Sequence, residues 1–278
     1  MNQLDILLIH PNAATKIYQD LSKNFSAIEQ PVWAGMIARY LLNKGLTVQI
    51  LDCEAMGLSV DEAYLQVKKL DPRIISVVVY GQQPSASSQN MFGATLLMDK
   101  LKELDRPRVY IGPTPTALPE LIISRDEECF VCCGEGPVTL LELSKVKSFH
   151  SDTELALVPG LCFMNRQKEV SKNLQAGLIV NLDQEMPNVA WELLPMEKYR
   201  TANWHGWTNS DRYNNTPFAS IYTSLGCPFK CSFCMINAPF NHVDNKNNTI
   251  LTWSPDNATM NSHQLLHIFS SFYLLSNE

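Results

Sequence analysis

The chain has 278 residues, 22 basic against 28 acidic side chains for a net charge of −6, and 45% apolar residues, enough for one large domain or two ordinary ones. The acidic balance, with no basic run, excludes a nucleic-acid-binding surface, and no stretch reaches the ~20 apolar residues of a membrane span. No signal peptide is legible at the start, so the cytoplasm is the expected compartment and the eight cysteines are expected to be reduced.

Up to residue 146, strand-like and helix-like segments alternate, the pattern of a parallel sheet with helices on its faces. Asp5–His10 (DILLIH) is a short apolar strand ended by proline. Pro31–Asn43 puts Val32, Met36, Ile37, Tyr40 and Leu41 on one helical face, with Gly45 as its stop. Thr47–Leu51 is the second strand, and Val60–Leu70 a helix closed by Asp71-Pro72. Ile74–Tyr80 (IISVVVY) is continuous and β-branched, as a strand buried on both faces must be. Asn90–Leu104 reads as a helix, Arg108–Ile111 as a strand, and Pro115–Ser124 as a short helix. Cys129–Cys133 is a fifth strand, and Pro137–Lys145 a helix with proline at its favoured first position. These units predict a doubly wound, Rossmann- or flavodoxin-like domain over residues 1–146.

Such sheets bind ligands at the carboxyl ends of their strands. Here those ends carry the loops HPN (10–12), GQQPSASS (81–88), GPTPT (112–116) and GEGP (134–137). None is a GxGxxG or a P-loop, so neither a dinucleotide nor a nucleoside triphosphate is supported. Together they suit one large flat ligand; singly, each is an ordinary strand-to-helix turn. Residues 147–217 read as a linker containing a hairpin, Gly160–Lys172, with Asn165-Arg166-Gln167-Lys168 at its tip. Residues 205–217 read as irregular, and Phe218–Thr223 (FASIYT) is again strand-like.

That strand runs into GCPFKCSFC, which places Cys227, Cys231 and Cys234 within eight positions. Three thiolates so spaced can hold three corners of an iron–sulfur cube, whereas ferredoxin patterns use four. A structural zinc site would need a fourth ligand, for which His242 is the nearest candidate, and zinc motifs arrive as paired CxxC units. A disulfide would leave one of the three cysteines odd. Cys132 and Cys133 are adjacent on a strand and point to opposite faces, so they and Cys53, Cys129 and Cys162 read as buried packing.

The C-x3-C-x2-C spacing after a strand, with an aromatic before the last cysteine, closely resembles the radical S-adenosylmethionine (SAM) family. The resemblance implies a 4Fe-4S cluster on Cys227, Cys231 and Cys234, with Phe233 beside the adenine of SAM. It implies that the open iron takes the amino and carboxylate groups of SAM, and that an electron from a donor such as a flavodoxin or ferredoxin cleaves the sulfonium. The 5′-deoxyadenosyl radical so formed would abstract hydrogen from a small-molecule substrate. An α/β domain placed before such a loop, with IHPN, IGPTPTALPE, CCGEGPVTLLEL, ELLPMEKYR and YTSLGCPFKCSFC in order, resembles the cobalamin-binding radical SAM enzymes. That likeness implies cobalamin against the sheet's carboxyl edge, for methyl transfer or other radical chemistry. The cradle it implies here is Pro11, Asn12, Gly81, Ser85, Ser87, Gly112, Thr114, Gly134 and Glu135. No D-x-H-x-x-G signature is present, so no histidine of this domain is expected to ligate cobalt, and His10 reads as a loop residue. The competing reading of the α/β domain is a purely structural one.

In that family the cysteines follow the first strand of a partial β/α barrel, so residues 218–278 read as its beginning. A full barrel takes ~250 residues, and 44 follow Cys234, with Trp253-Ser254-Pro255 as the last family-like element. The expectation is a truncated or frameshifted product. Two functions stay open: a cobalamin-dependent radical SAM enzyme, or a non-catalytic fragment that only binds ligand.

Overall fold

The computed structural model describes residues 3–23, 26–81, 86–201, 218–227, 229, 231–240 and 250–275. Strand β1 (Ile6–His10) leads through α1 (Ala14–Tyr18) to α2 (Val32–Asn43), followed by β2 (Val48–Asp52), α3 (Val60–Leu70), β3 (Ile74–Val78) and α4 (Ala86–Leu101). Then come β4 (Arg108–Ile111), α5 (Pro113–Ala117), α6 (Pro119–Arg125), β5 (Cys129–Cys132) and α7 (Pro137–Ser144). After α8 (Asp152–Leu155), strands β6 (Leu161–Met164) and β7 (Val170–Lys172) form the expected hairpin. All seven strands share one sheet in the order β2-β1-β3-β4-β5-β6-β7. The first five run parallel, while β6 and β7 are antiparallel additions.

The order 2-1-3-4-5 is the flavodoxin-like one, which places the topological switch point between β1 and β3. Strand residues alternate between two cores, as a period of two requires. Ile6 and Leu8 join α2 and α7 on one face; Leu7 and Ile9 join α3 and α4 on the other. Cys132 and Cys133 divide between the same two faces, as their adjacency predicts.

Several expectations need correction. The helix read at Pro115–Ser124 is two helices, because Pro119 cannot continue α5 and instead starts α6. Helix α4 begins at Ala86 rather than Asn90, and Ser87 in its first turn ties it to the Val79 carbonyl after β3. His10 is the last residue of β1 and buried, not a loop residue. Phe218–Thr223 is not a strand: the buried amide of Gln30 stands where a neighbouring strand would, donating to the Phe218 carbonyl and accepting from the Ser220 N–H at 3.1 Å.

After β7, residues 173–201 form a packed plate against the face of the sheet that carries α2 and α7. Within it lies α9 (Leu182–Glu185). Tyr199 is fully buried, and its hydroxyl donates to Asp52 Oδ2 at the end of β2 at 2.8 Å. Arg200 and Ile28 exchange backbone hydrogen bonds of 3.0 Å. Gly35 of α2 admits the plate closely, since a Cβ there would lie 2.3 Å from Val189 Cγ1. Beyond it, β8 (Ser224–Leu225) pairs antiparallel with β9 (Leu251–Thr252), flanking the cysteine loop and α10 (Asn237–Phe240). Helix α11 (Pro255–Leu275) follows, capped by Ser254, whose Oγ accepts from the Asn257 N–H at 3.2 Å. The plate holds this part too: Trp253 Nε1 donates to the Met186 carbonyl at 2.7 Å, and the Ser254 N–H to Asp183 at 3.0 Å. None of the helices, over the described residues, is long and apolar enough to cross a membrane.

Candidate functional site

The carboxyl ends of β1, β3, β4 and β5 form one edge, and most of the sequence-selected cradle lies along it. Pro11 is buried; Asn12 turns back on its own loop, with Nδ2 donating to the Leu58 carbonyl at 3.2 Å and Oδ1 accepting from the Ala14 N–H at 3.2 Å. Ser87 is fully buried and ties two loops together: its hydroxyl donates to the Val79 carbonyl at 2.5 Å and accepts from the Thr114 N–H at 3.1 Å. Gly112 has φ +143°, and a Cβ there would lie 2.3 Å from the Val79 carbonyl oxygen, so only glycine lets the loops after β3 and β4 meet. Gly81 is half-buried beside Ala86, and Gly134 donates its N–H to Thr116 Oγ1 at 3.1 Å. Ser85 and His242 lie outside the described residues.

Glu135 lies in the loop after β5, at one end of this edge, and is 7% exposed. Its Oε2 accepts from the Ile179 N–H at 3.0 Å, whereas Oε1 has no protein partner. Burial pushes the carboxyl up to about 7, against the opposing pull of the Ile179 N–H. Trp33 Nε1 donates to the Glu135 carbonyl at 3.1 Å, and the Trp33 ring stacks on Tyr80 with centroids 4.7 Å apart. The Tyr80 hydroxyl is also buried without a partner, and burial, with Glu135 and Tyr222 nearby, holds it well above the usual phenol range. Trp33, Tyr80 and Tyr222 were not selected from the sequence. The one available signal was that Tyr80 closes a buried strand just before a glycine loop.

The protonation of Glu135 has a checkable consequence. In the fold it holds its proton up to about pH 7, whereas the unfolded chain releases it near 4.5. Stability therefore falls as pH rises through that window, by on the order of 3 kcal/mol in total for this group. Glu135→Gln removes the dependence. Thermal melts of the two proteins are expected to coincide below the unfolded value of 4.5 and to separate fully above about pH 7, with the glutamine form more stable. A gap that does not change with pH would contradict the assignment.

At the end of β1, His10 Nε2 lies 3.6 Å from Glu54 Oε2. Burial alone would lower its pKa; the Glu54 hydrogen bond and the charges of Asp52 and Glu54 outweigh that and raise it. One ring nitrogen thus faces a carboxylate at the switch point, while Nδ1 is buried without a protein partner.

The cysteine loop stands over the same edge. Cys231 is exposed, and Cys227 and Cys234 are half-exposed, all as free thiols. The Cys234 N–H donates to the Cys231 carbonyl at 3.1 Å, closing a turn between the last two. Among the described residues no group of three His, Cys, Asp or Glu is gathered closely enough to hold a metal, so the thiols are near neighbours in sequence without being preassembled. Phe233 is 89% exposed and Phe229 69%, which leaves two open rings beside the thiols. The loop is moored by α10 resting on α5 and by Gln175 Nε2, which donates to the Pro239 carbonyl at 3.3 Å.

No protein-family model matches the chain. It is 31% identical over 198 residues to the uncharacterized methyltransferase PH0819 of Pyrococcus horikoshii, an alignment spanning 69% of this chain and 38% of that protein. Its fold is similar to the cobalamin-dependent SAM radical enzyme OxsB, solved with aqua-cobalamin and SAM bound (TM-score 0.68, 17% identity, 98% of this chain, 32% of the other). It is also similar to the radical SAM methyltransferase TsrM of Kitasatospora setae with cobalamin and a [4Fe-4S] cluster (TM-score 0.60, 17% identity, 95% of this chain, 46% of the other). The chain thus spans about a third to a half of the length of the proteins it resembles. These likenesses establish the α/β fold with its mostly parallel sheet, as the sequence predicts.

Proposed function

We propose that this chain gathers the cofactors of a cobalamin-dependent radical SAM methyltransferase acting on a small metabolite. The observation that carries the reading is the mooring of a three-thiol loop over the carboxyl edge of a flavodoxin-order sheet. When bound, a reduced cluster supplies the electron that cleaves SAM, and cobalamin a carrier for the methyl group.

The residues present fit these groups. Cys227, Cys231 and Cys234 are soft donors for three irons and leave a fourth open to an outside chelator. Phe233, with its face open, suits stacking against adenine. The buried, unpartnered Tyr80 hydroxyl and Glu135 Oε1, set among the stacked rings of Trp33 and Tyr80, suit a flat macrocycle rimmed with carboxamides. Thr114 is the cradle hydroxyl on α5, while Ser87 and Gly112 hold the loops around it in register. Methyl transfer, the small substrate and a flavodoxin- or ferredoxin-like electron donor follow from the family resemblance. A cytoplasmic location is consistent with the three free thiols of the loop.

Anaerobic reconstitution of the full chain with iron and sulfide, then titration with hydroxocobalamin, tests the proposal. About four irons per chain and a saturable shift of the corrin absorption bands are expected. Reconstituted protein that leaves the corrin spectrum unchanged would refute the cobalamin half.

A further inference from the structure

Met235 directly follows the third cysteine, yet it belongs to the sheet's edge as much as to the loop. Its sulfur accepts from Ser88 Oγ at 3.1 Å and from Thr114 Oγ1 at 3.7 Å, and those hydroxyls lie 3.3 Å from each other. Ser88 stands in the first turn of α4, and Thr114 lies in α5. A thioether is a weak acceptor, so two hydroxyls converging on one sulfur form a deliberate clasp between segments 147 and 121 positions apart. The segment beyond is held to the same place, by α10 on α5 and by Gln175 on the Pro239 carbonyl. The strap of residues 235–240 therefore joins the thiol loop to the crevice where the strands end.

We propose that Met235 is a positioning residue that couples assembly of the cluster to uptake of the corrinoid. The inference rests on the cofactor reading given above. Iron binding fixes Cys231 and Cys234; the next residue along carries that order to Ser88 and Thr114. A strap ordered in advance lowers the entropy cost of closing over a second ligand, so the two binding events favour each other.

Hydroxocobalamin is titrated by absorbance into the anaerobic full chain, with and without its reconstituted cluster. About tenfold tighter binding is expected with the cluster present, a coupling within the usual range. Met235→Leu keeps the bulk but removes the acceptor; the ratio is expected to fall to within about twofold of unity, with iron content and melting temperature preserved. Met235→Gln, which restores an acceptor at similar reach, is expected to restore the ratio. A wild-type ratio already near unity, or a leucine variant that keeps the full ratio, overturns the coupling while leaving cobalamin binding standing. Absence of binding in both states refutes the corrinoid reading, and the coupling with it.

Discussion

Cys231→Ser is expected to reduce the iron held after anaerobic reconstitution by about fivefold or more, together with the broad cluster absorbance. The loop supplies three thiols and no fourth, so each must serve its own iron. A hydroxyl is a harder, weaker donor than a thiolate, and two protein ligands leave half the cube uncapped. The contrast with the sheet cysteines makes the test specific. Cys129, Cys132, Cys133 and Cys162 are buried at the sheet, and burial pushes the Cys129 and Cys132 thiols up, to about 12 for Cys129. Cys129→Ala is therefore expected to leave iron content unchanged. Equal iron in the Cys231 variant and the parent would remove the cluster from the account.

Asp126→Ala is expected to destabilise the fold by about 3 kcal/mol, the lower end of what breaking a buried pair costs. Arg108 opens β4 and is only 2% exposed. Its guanidinium grips Asp126 with two hydrogen bonds, of 2.5 and 3.2 Å. Burial would raise the Asp126 carboxyl, but Arg108 and Lys102 overcome it and hold the pKa below the usual carboxylate value. The pair's stabilisation is therefore present above that value and fades as pH falls through it. Without the carboxylate, the cation keeps the Met98 carbonyl at 3.4 Å and the largely solvated Glu128 at 3.6 Å; that partial compensation sets the lower end. Urea titration measures the change, and the slope of the transition should stay constant. Because the pair lies at the amino end of the sheet, the surviving folded protein should still take up iron. A loss below about 1 kcal/mol would show that the pair is dispensable.

The parallel sheet was legible because β1, β3 and β4 are short, β-branched and bounded by Gly or Pro, and because the cysteine spacing is a local pattern. What escaped was long-range. Gln30 replaces a strand partner for Phe218 and Ser220, which lie 188 and 190 positions away, and no local pattern reports that. Tyr199 and Asp52 meet across 147 positions, making the apparent linker a packed plate. The asparagine-rich tail resisted reading as a helix, since asparagine is a poor helix former. In α11 Asn261 is held instead by tertiary contacts, its Nδ2 donating to the Pro187 carbonyl at 2.9 Å. At the site, Glu135 was chosen from its loop, but its aromatic surroundings come from α2, the segment after β3 and the segment before Cys227, which only the fold assembles.

The central claim is that three thiolates leave one iron of a cube open to SAM. Electron paramagnetic resonance of the reduced, reconstituted chain, recorded with and without SAM, tests it most directly. A [4Fe–4S] signal whose line shape changes when SAM is added is expected. A signal indifferent to SAM, or stoichiometric zinc in place of iron, would contradict it.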